Sequence, residues 1–386
     1  MHFALTEEQE LIVKTARAFA EEELIPYEEE VERTGELRED LRLSIIEKSK
    51  AIGLYAFNMP AELGGGGLDA VAQCLVDREL GRASFALQYT VGRPSNILRA
   101  CKGEQIERYL LPSIRGERLD CLAMTEPGAG SDLRSMTTRA VQDGEHWVLN
   151  GMKHFISHAD VADYAIVIAA TKMEETPRGP RKQMTSFLVD KGTPGFNVRR
   201  GPTCVSHRGY HQCELTFDNV RLHESQILGE VHKGFDVANT WLSSTRLQVA
   251  AMCLGRGHRA LELALPWAAG RKQFGQPIGK FQGVGFKLAD MATDLELAEL
   301  ITLKAAWKQD QGTARDEDFA MAKLVATEAL GRITDHAIQI FGGMGLMDSL
   351  PLERLWRDAR LERIWDGTSE IQRHIISRAL LRPHEA

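Results

Sequence analysis

Trp147-Val148-Leu149-Asn150-Gly151 opens the stretch that decides the fold, because here the periodicity of the chain changes. At these residues, and again at Tyr164 to Ala170, Ser186 to Val189 and Cys213 to Val220, short β-branched or aromatic runs replace helical repeats. Asp143-Gly144, Asn150-Gly151 and Thr193-Pro194-Gly195 separate them as turn signals. The Asn-Gly pair predicts a tight hairpin. No long helical pattern intervenes, so an antiparallel β-domain, resembling a small barrel, is expected over residues 119–232.

Helical patterns lie on both sides. In the expected N-terminal domain, residues 1–118, Thr6 and Gln9 predict a capping box, and Leu11, Ile12, Ala16, Phe19 and Ala20 then recur at helical spacing. Pro26 marks a break. Further helical segments are expected around Leu41 to Leu54, Val71 to Leu80 and Ile97 to Leu111. Gly64-Gly65-Gly66-Gly67 lacks the Lys-Ser/Thr of a phosphate loop and is expected to be a flexible connector. The expected C-terminal domain, residues 233–386, carries long helical patterns at Met252 to Trp267, Phe281 to Trp307 and Phe319 to Phe341. The order helical, β, helical defines an α+β chain.

Composition narrows the function classes. A chain of 386 residues predicts two or three packed units. Forty-seven Lys and Arg against 54 Asp and Glu give a net charge of −7, which argues against a surface built for nucleic acid. No apolar run is long enough to span a bilayer. Met1-His2-Phe3-Ala4-Leu5 and the acidic residues after it do not resemble a signal peptide. Cys74, Cys101, Cys121, Cys204, Cys213 and Cys253 contain no Cys-x-x-Cys pair and read as reduced packing residues of a cytoplasmic protein. His154, His158, His207, His211 and His374 show no metal spacing and are expected to be surface or packing residues, so no metal is expected.

Three clusters carry chemistry. Met124-Thr125-Glu126-Pro127-Gly128-Ala129-Gly130-Ser131-Asp132 is a loop whose backbone can approach a flat or anionic ligand. Arg271-Lys272-Gln273-Phe274-Gly275, followed by Phe281-Gln282, offers a guanidinium suited to phosphate or a solvated helix end. In Ile364-Trp365-Asp366-Gly367-Thr368-Ser369-Glu370-Ile371-Gln372-Arg373, Gly367 breaks one helix and Ser369 with Gln372 predicts the cap of the next. That places the Asp366 carboxylate on a constrained interhelical loop.

In this order and at these distances, the clusters resemble the acyl-CoA dehydrogenase family over nearly the whole chain. Leu5-Thr6-Glu7-Glu8-Gln9 and Gln339-Ile340-Phe341-Gly342-Gly343-Met344-Gly345 extend the match. The resemblance implies a C-terminal four-helix bundle and an FAD enzyme that removes the α-proton of an acyl-CoA and passes the β-hydride to flavin N5. It implies Leu122, Met124, Thr125, Phe155 and Ser157 against the flavin, with Phe155-Ile156-Ser157 standing where the family usually has Trp-Ile-Thr. It assigns Arg271, Phe274, Gln282, Gln339 and Gly343 to the FAD of a neighbouring subunit, and hence a homo-oligomer, a dimer of dimers. Thr368 and Glu370 match further flavin contacts. Ser131, Arg246 and Gly367 match the substrate side. Electron-transfer flavoprotein is the partner that the family usually uses.

The chain departs from the family at its base, where Asp366 replaces the usual glutamate. The shorter side chain withdraws the carboxylate by about 1.5 Å, and a displacement of about 1 Å can cost roughly 10²-fold in rate. Threonine at Thr245 excludes the alternative position at which some branches carry the glutamate. A dry pocket beside Trp365 is expected to raise the pKa of Asp366. Three chemistries stay open: α,β-dehydrogenation with Asp366 as base, a nitroalkane-oxidase-like reaction, and another acyl-CoA reaction such as 1,4-dehydrogenation or enoyl-CoA reduction. Arg93, before Pro94, reads either as a side chain snorkelling to solvent or as a cation for a polar acyl tail. DNA-binding relatives carry a basic C-terminal extension, and with the chain reading Arg382-Pro383-His384-Glu385 at its end no DNA-binding role is expected.

Overall fold

The computed structural model describes residues 4–384 except Arg178. The expectation about a leader rests partly on Met1 to Phe3, and that about the C-terminus partly on Glu385; these lie outside the described residues. Six α-helices come first: α1 Glu7–Phe19, α2 Glu28–Thr34, α3 Glu39–Ala51, α4 Ala70–Leu80, α5 Phe85–Thr90 and α6 Leu111–Ile114. At the start of α1, the Thr6 hydroxyl accepts from the Gln9 N–H (3.2 Å) while the Gln9 side chain accepts from the Thr6 N–H (3.1 Å), the reciprocal cap its spacing predicts. Around Pro26 the helix changes to a 3₁₀ turn, Ile25–Tyr27.

Strands follow: β1 Asp120–Ala123, β2 Arg139–Asp143, β3 His146–Ser157, β4 Tyr164–Thr176, β5 Gly179–Asp190, β6 Phe196–Arg200, β7 Gln212–His223 and β8 Ile227–Leu228. They form one sheet in the order β6-β7-β3-β2-β4-β5-β8, with β1 added parallel to β4. Most neighbours are antiparallel, though β2 also meets β4 in parallel. Trp147, Leu149, Val167, Phe187, Leu215 and Val220 fill one side of the sheet.

Helices then return: α7 Gly234–Gly270, α8 Gln282–Asp310, α9 Asp316–Phe341, α10 Leu352–Glu362 and α11 Ser369–Leu381, with a small hairpin, β9 Lys272–Gln273 and β10 Gln276–Pro277, between α7 and α8. The two helical regions share one continuous core. Where α4 ends against α7, glycines face each other's backbones. A Cβ at Gly255 would lie 1.9 Å from the Arg78 carbonyl oxygen, and one at Gly81 2.6 Å from that of Met252. Asp310, ending α8, accepts from the N–H groups of Ala70 and Val71 at the start of α4 (2.7 and 3.1 Å).

Four local expectations change. Asn150-Gly151 is no hairpin: it lies inside β3, where the pairing with β7 shifts register and Gly151 adopts φ 145. A Cβ there would meet Thr138 Oγ1 at 2.5 Å, so glycine is needed for close approach at a bulge. The β2–β3 hairpin turns at Gly144-Glu145 instead. Gly64 to Gly67 is pinned rather than flexible. The N–H groups of Gly65, Gly66 and Gly67 donate to the carbonyls of Pro60, Ala56 and Met59, and a Cβ at Gly65 would lie 2.3 Å from the Met59 oxygen. Ile97 to Leu111 is not one helix. A 3₁₀ turn (Asn96–Ala100) ends before Gly103, whose φ of 53 is left-handed, and a π turn (Ile106–Leu110) leads into α6. Finally, Thr368 rather than Ser369 caps α11, its Oγ1 accepting from the Ile371 N–H; the Ser369 hydroxyl donates to Glu328.

Candidate active site

Asp366 stands on the loop between α10 and α11, with φ 51, and Gly367 follows at φ 93. Aspartate tolerates the left-handed region better than bulkier residues. Three groups hold the loop. Lys323 of α9, wholly buried, donates through Nζ to the carbonyl oxygens of Trp365 and Gly367, each at 2.6 Å. Gln372 Nε2 donates to the Gly367 carbonyl at 2.8 Å, and Thr368 caps α11. The Asp366 N–H finds no acceptor among the described residues.

The carboxyl of Asp366 is half-buried and accepts a long hydrogen bond from Thr245 Oγ1 of α7 (3.4 Å). Burial pushes its pKa up to about 6; Lys323 and Arg246 resist the rise, while Glu362 adds to it. Glu362 itself is buried but fully engaged. Its Oε1 accepts from His207 Nε2 (3.0 Å) and Arg256, and its Oε2 from Trp365 Nε1 (2.7 Å). This cluster fixes the indole of Trp365 beside Asp366, with the Phe85 ring edge-on to it at 4.9 Å.

An aromatic wall continues from there. Phe85 contacts His207 and Tyr210 at centroid distances of 4.6 and 4.8 Å. Tyr210 OH lies 2.9 Å from His158 Nδ1, and Tyr89 OH 2.6 Å from His158 Nε2. Burial lowers the His158 pKa to about 4, so the imidazole is neutral near pH 7. Its Nε2–H points to the Asp120 carbonyl (2.7 Å), which leaves Nδ1 to accept from Tyr210. Behind this wall, Tyr89, Thr90, Arg93, Asp120, His158 and Tyr210 line a pocket that opens to solvent. Arg93 does not snorkel. It turns inward to Asp77 Oδ2 (3.3 Å) and Gln73 Oε1 (2.9 Å), over the Phe57 ring.

The loop at 124–132 is anchored from beneath. Glu126 accepts from the N–H groups of Thr137 (2.6 Å) and Thr138 (3.0 Å) and from Lys153 Nζ (2.9 Å), which also reaches the Met124 carbonyl. Although burial opposes it, the Lys153 ammonium and these donors hold Glu126 down at about 2; burial in turn brings Lys153 to about 8. Leu122 lies on β1 and Met124 and Thr125 just beyond it, all partly exposed, while Ser131 is exposed. On β3 a register shift turns Phe155 outward, with φ 56 and 61% exposure; Ser157 Oγ donates to Gln212 Oε1 (3.2 Å). Arg246 is buried beside Asp366 with its Nε unpartnered.

Arg271, Phe274 and Gln282 gather at the α7–α8 hairpin. Gln339 and Gly343, at the end of α9, are tied to them through Trp267 stacked on Phe341 (4.5 Å). Phe274 projects there with 94% exposure. Thr245 and Trp267 lie 22 residues apart on one helix, about 33 Å at 1.5 Å per residue. One chain therefore does not bring this group to Asp366. Thr368 and Glu370 sit on the Asp366 side, Glu370 exposed.

Lys323, Glu362, Arg256, Tyr89 and Tyr210 were not legible as site residues. Only the histidine count singled out His158 and His207, and it carried no partner information.

Two helical regions thus share one core with a sheet inserted between them, and a half-buried carboxyl stands on the loop between α10 and α11. Family matches identify this as an architecture of oxidoreductases acting on CH–CH bonds. The chain matches the acyl-CoA dehydrogenase N-terminal domain over residues 6–117, the middle domain over 121–220 and the C-terminal domain over 232–381. It belongs to the acyl-CoA dehydrogenase family, whose members are flavoproteins. It is 39% identical to 3-(aryl)acrylate reductase of Clostridium sporogenes, over 98% of this chain and 99% of that one. Its identity to subunit CarC of the caffeyl-CoA reductase–Etf complex of Acetobacterium woodii is 36%, over 99% and 100%. The solved butyryl-CoA dehydrogenase of Megasphaera elsdenii superposes with a TM-score of 0.88 at 33% identity, covering 99% of this chain and 100% of that one. Among the described residues, no helix is long and apolar enough to cross a membrane.

Proposed function

We propose that this protein is an FAD-dependent enzyme that oxidises the α,β bond of an acyl-CoA thioester, with Asp366 as the acid–base group. The observation that carries the reading is a carboxyl poised near neutrality on a loop fixed by Lys323, Thr368 and Gln372. In dehydrogenation Asp366 takes the α-proton, and its unpaired backbone N–H donates to the thioester oxygen as negative charge develops there. Trp365 and Phe85 keep the carboxyl out of bulk water. Thr245 is a partner of the base, not a substitute for it.

The residues fit FAD. Phe155 offers a bare aromatic face, and nothing lies within 4 Å of a Cβ built on Gly128 or Gly130, so the loop is open to a flat ligand. Leu122, Met124, Thr125, Phe155, Ser157, Thr368 and Glu370 would hold it on one side. Arg271, Phe274, Gln282, Gln339 and Gly343 would hold the FAD of a second subunit, a reading supported by their distance from Asp366. When bound, FAD supplies the hydride acceptor and donor chemistry. Ser131, Gly367 and the buried, unpartnered Arg246 would face the substrate. Electron-transfer flavoprotein is the proposed partner, supported by the name of the Acetobacterium complex.

Reduction of an enoyl thioester is the second reading, favoured by the aromatic wall and by the two relatives named as reductases. Anaerobic mixing decides. With acyl-CoA and enoyl-CoA present in equal amounts, flavin that settles bleached marks the dehydrogenase, and flavin that settles oxidised marks the reductase. Protein that carries no flavin, or whose flavin responds to no thioester, refutes both.

A further inference from the structure

We propose that Lys323 is a positioning residue: by donating to the carbonyl oxygens on either side of Asp366, its ammonium fixes the left-handed turn that presents the carboxyl and answers its charge. This rests on the acid–base reading of Asp366 but is tested apart from it. Lysine is almost never fully buried unless paired, and Lys323 is buried with its Nζ bonded to backbone carbonyls rather than to a carboxylate among the described residues. Its two short hydrogen bonds go to Trp365 and Gly367. Those bonds span the one non-glycine residue of this loop with positive φ.

The charged neighbours leave this task to Lys323. From α10, Glu362 opposes ionisation of Asp366. Glu362 is already taken by Arg256, His207 and Trp365, and Asp358 accepts from the His207 N–H. From α7, Arg256 is committed to Glu362, and Arg246 divides its field between Asp366 and Asp316. Tyr210, from the loop before β7, is neutral near pH 7, its pKa raised by burial. Lys323 is the largest charge opposing the effect of burial on Asp366.

The test compares wild type, Lys323→Met, Lys323→Gln and Lys323→Arg holoenzymes. Circular dichroism and flavin content check the fold; Lys323→Gln, which keeps a donor without the charge, serves if the methionine variant does not fold. Infrared difference titration follows the protonated carboxyl band that Asp366→Asn removes. Its midpoint is expected to rise by about 1–3 pH units in Lys323→Met or Lys323→Gln. The pH profile of flavin bleaching should move with it, at nearly unchanged acyl-CoA affinity, and Lys323→Arg should recover most of both. A midpoint that stays put in folded protein, or equal losses of affinity and rate, overturns the proposal. If the band moves while Asp366→Asn still bleaches at the wild-type rate, the positioning role stands and the acid–base assignment falls.

Discussion

Replacing Asp366 with asparagine should stabilise the fold while abolishing turnover. A free aspartate titrates near 3.8, and burial raises Asp366 to about 6. At about 1.4 kcal/mol per pKa unit, ionising it in the folded protein costs about 3 kcal/mol. The sign follows from proton binding. Between about pH 4 and 6 the folded state holds a proton that the unfolded chain has released, so wild-type stability falls as pH rises through this window and stays reduced above it. Asparagine mimics the protonated form and escapes the cost. At pH 7 Asp366→Asn should therefore unfold at higher urea, by up to about 3 kcal/mol, with the gap to wild type closing as pH falls to 4. In the same variant, acyl-CoA bleaching should drop by at least about 10²-fold. Paired urea titrations at pH 4, 5.5 and 7, with flavin content matched, measure the gap. A variant less stable than wild type at pH 7, or a gap independent of pH, refutes the burial argument.

Wild-type bleaching by an acyl-CoA should rise about tenfold between pH 5 and 7, following ionisation of a group near 6; stopped-flow absorbance across that range reports it. Asp366→Glu adds one methylene beside Thr245 and Trp365. If the pocket is built around the shorter acid, activity on the true substrate should fall and urea stability decline; steady-state kinetics and unfolding curves read both. Arg271→Lys loses the bidentate fork that matches phosphate and should release FAD on dilution and weaken the oligomer, seen by gel filtration with absorbance at the flavin band. Glu126→Gln strands the buried Lys153 ammonium and should cost about 3–5 kcal/mol in urea unfolding, the range for breaking a buried pair.

The order of helices, sheet and helices was legible because hydrophobic period over long segments reports the face each buries, even where a short stretch such as Ile97 to Leu111 breaks up. Asp366 was legible too, since a glycine and a capping residue follow a carboxylate directly. What escaped depends on long-range packing. Asn150-Gly151 carries a hairpin signal, yet Thr138 crowds the glycine into a bulge within a strand. The four glycines from Gly64 look loose in one dimension, and only the backbones of Met59 and Phe57 beneath them show why side chains are excluded at Gly65 and Gly66. Lys323 looks like any surface lysine of a helix. Its role appears only when α9 is laid against the Trp365–Gly367 turn, more than 40 residues later.

The glycine crossing of α4 and α7 also bears on how the chain reaches this state. Gly81 and Gly255 stand roughly 170 residues apart, so the helical body is assembled from two stretches with the entire sheet inserted between them. Contacts of such long sequence separation slow folding, because a large loop must close before they reward it. During synthesis α1 and α4 emerge first and wait, their apolar faces uncovered, until α7 leaves the ribosome. The sheet, with its local hairpins, can form in the interval and bring the two ends of its own segment into place. A fragment that stops before residue 233 should thus hold an ordered sheet attached to aggregation-prone helices. Adding α7 through α9, even as a separate polypeptide, should rescue its solubility.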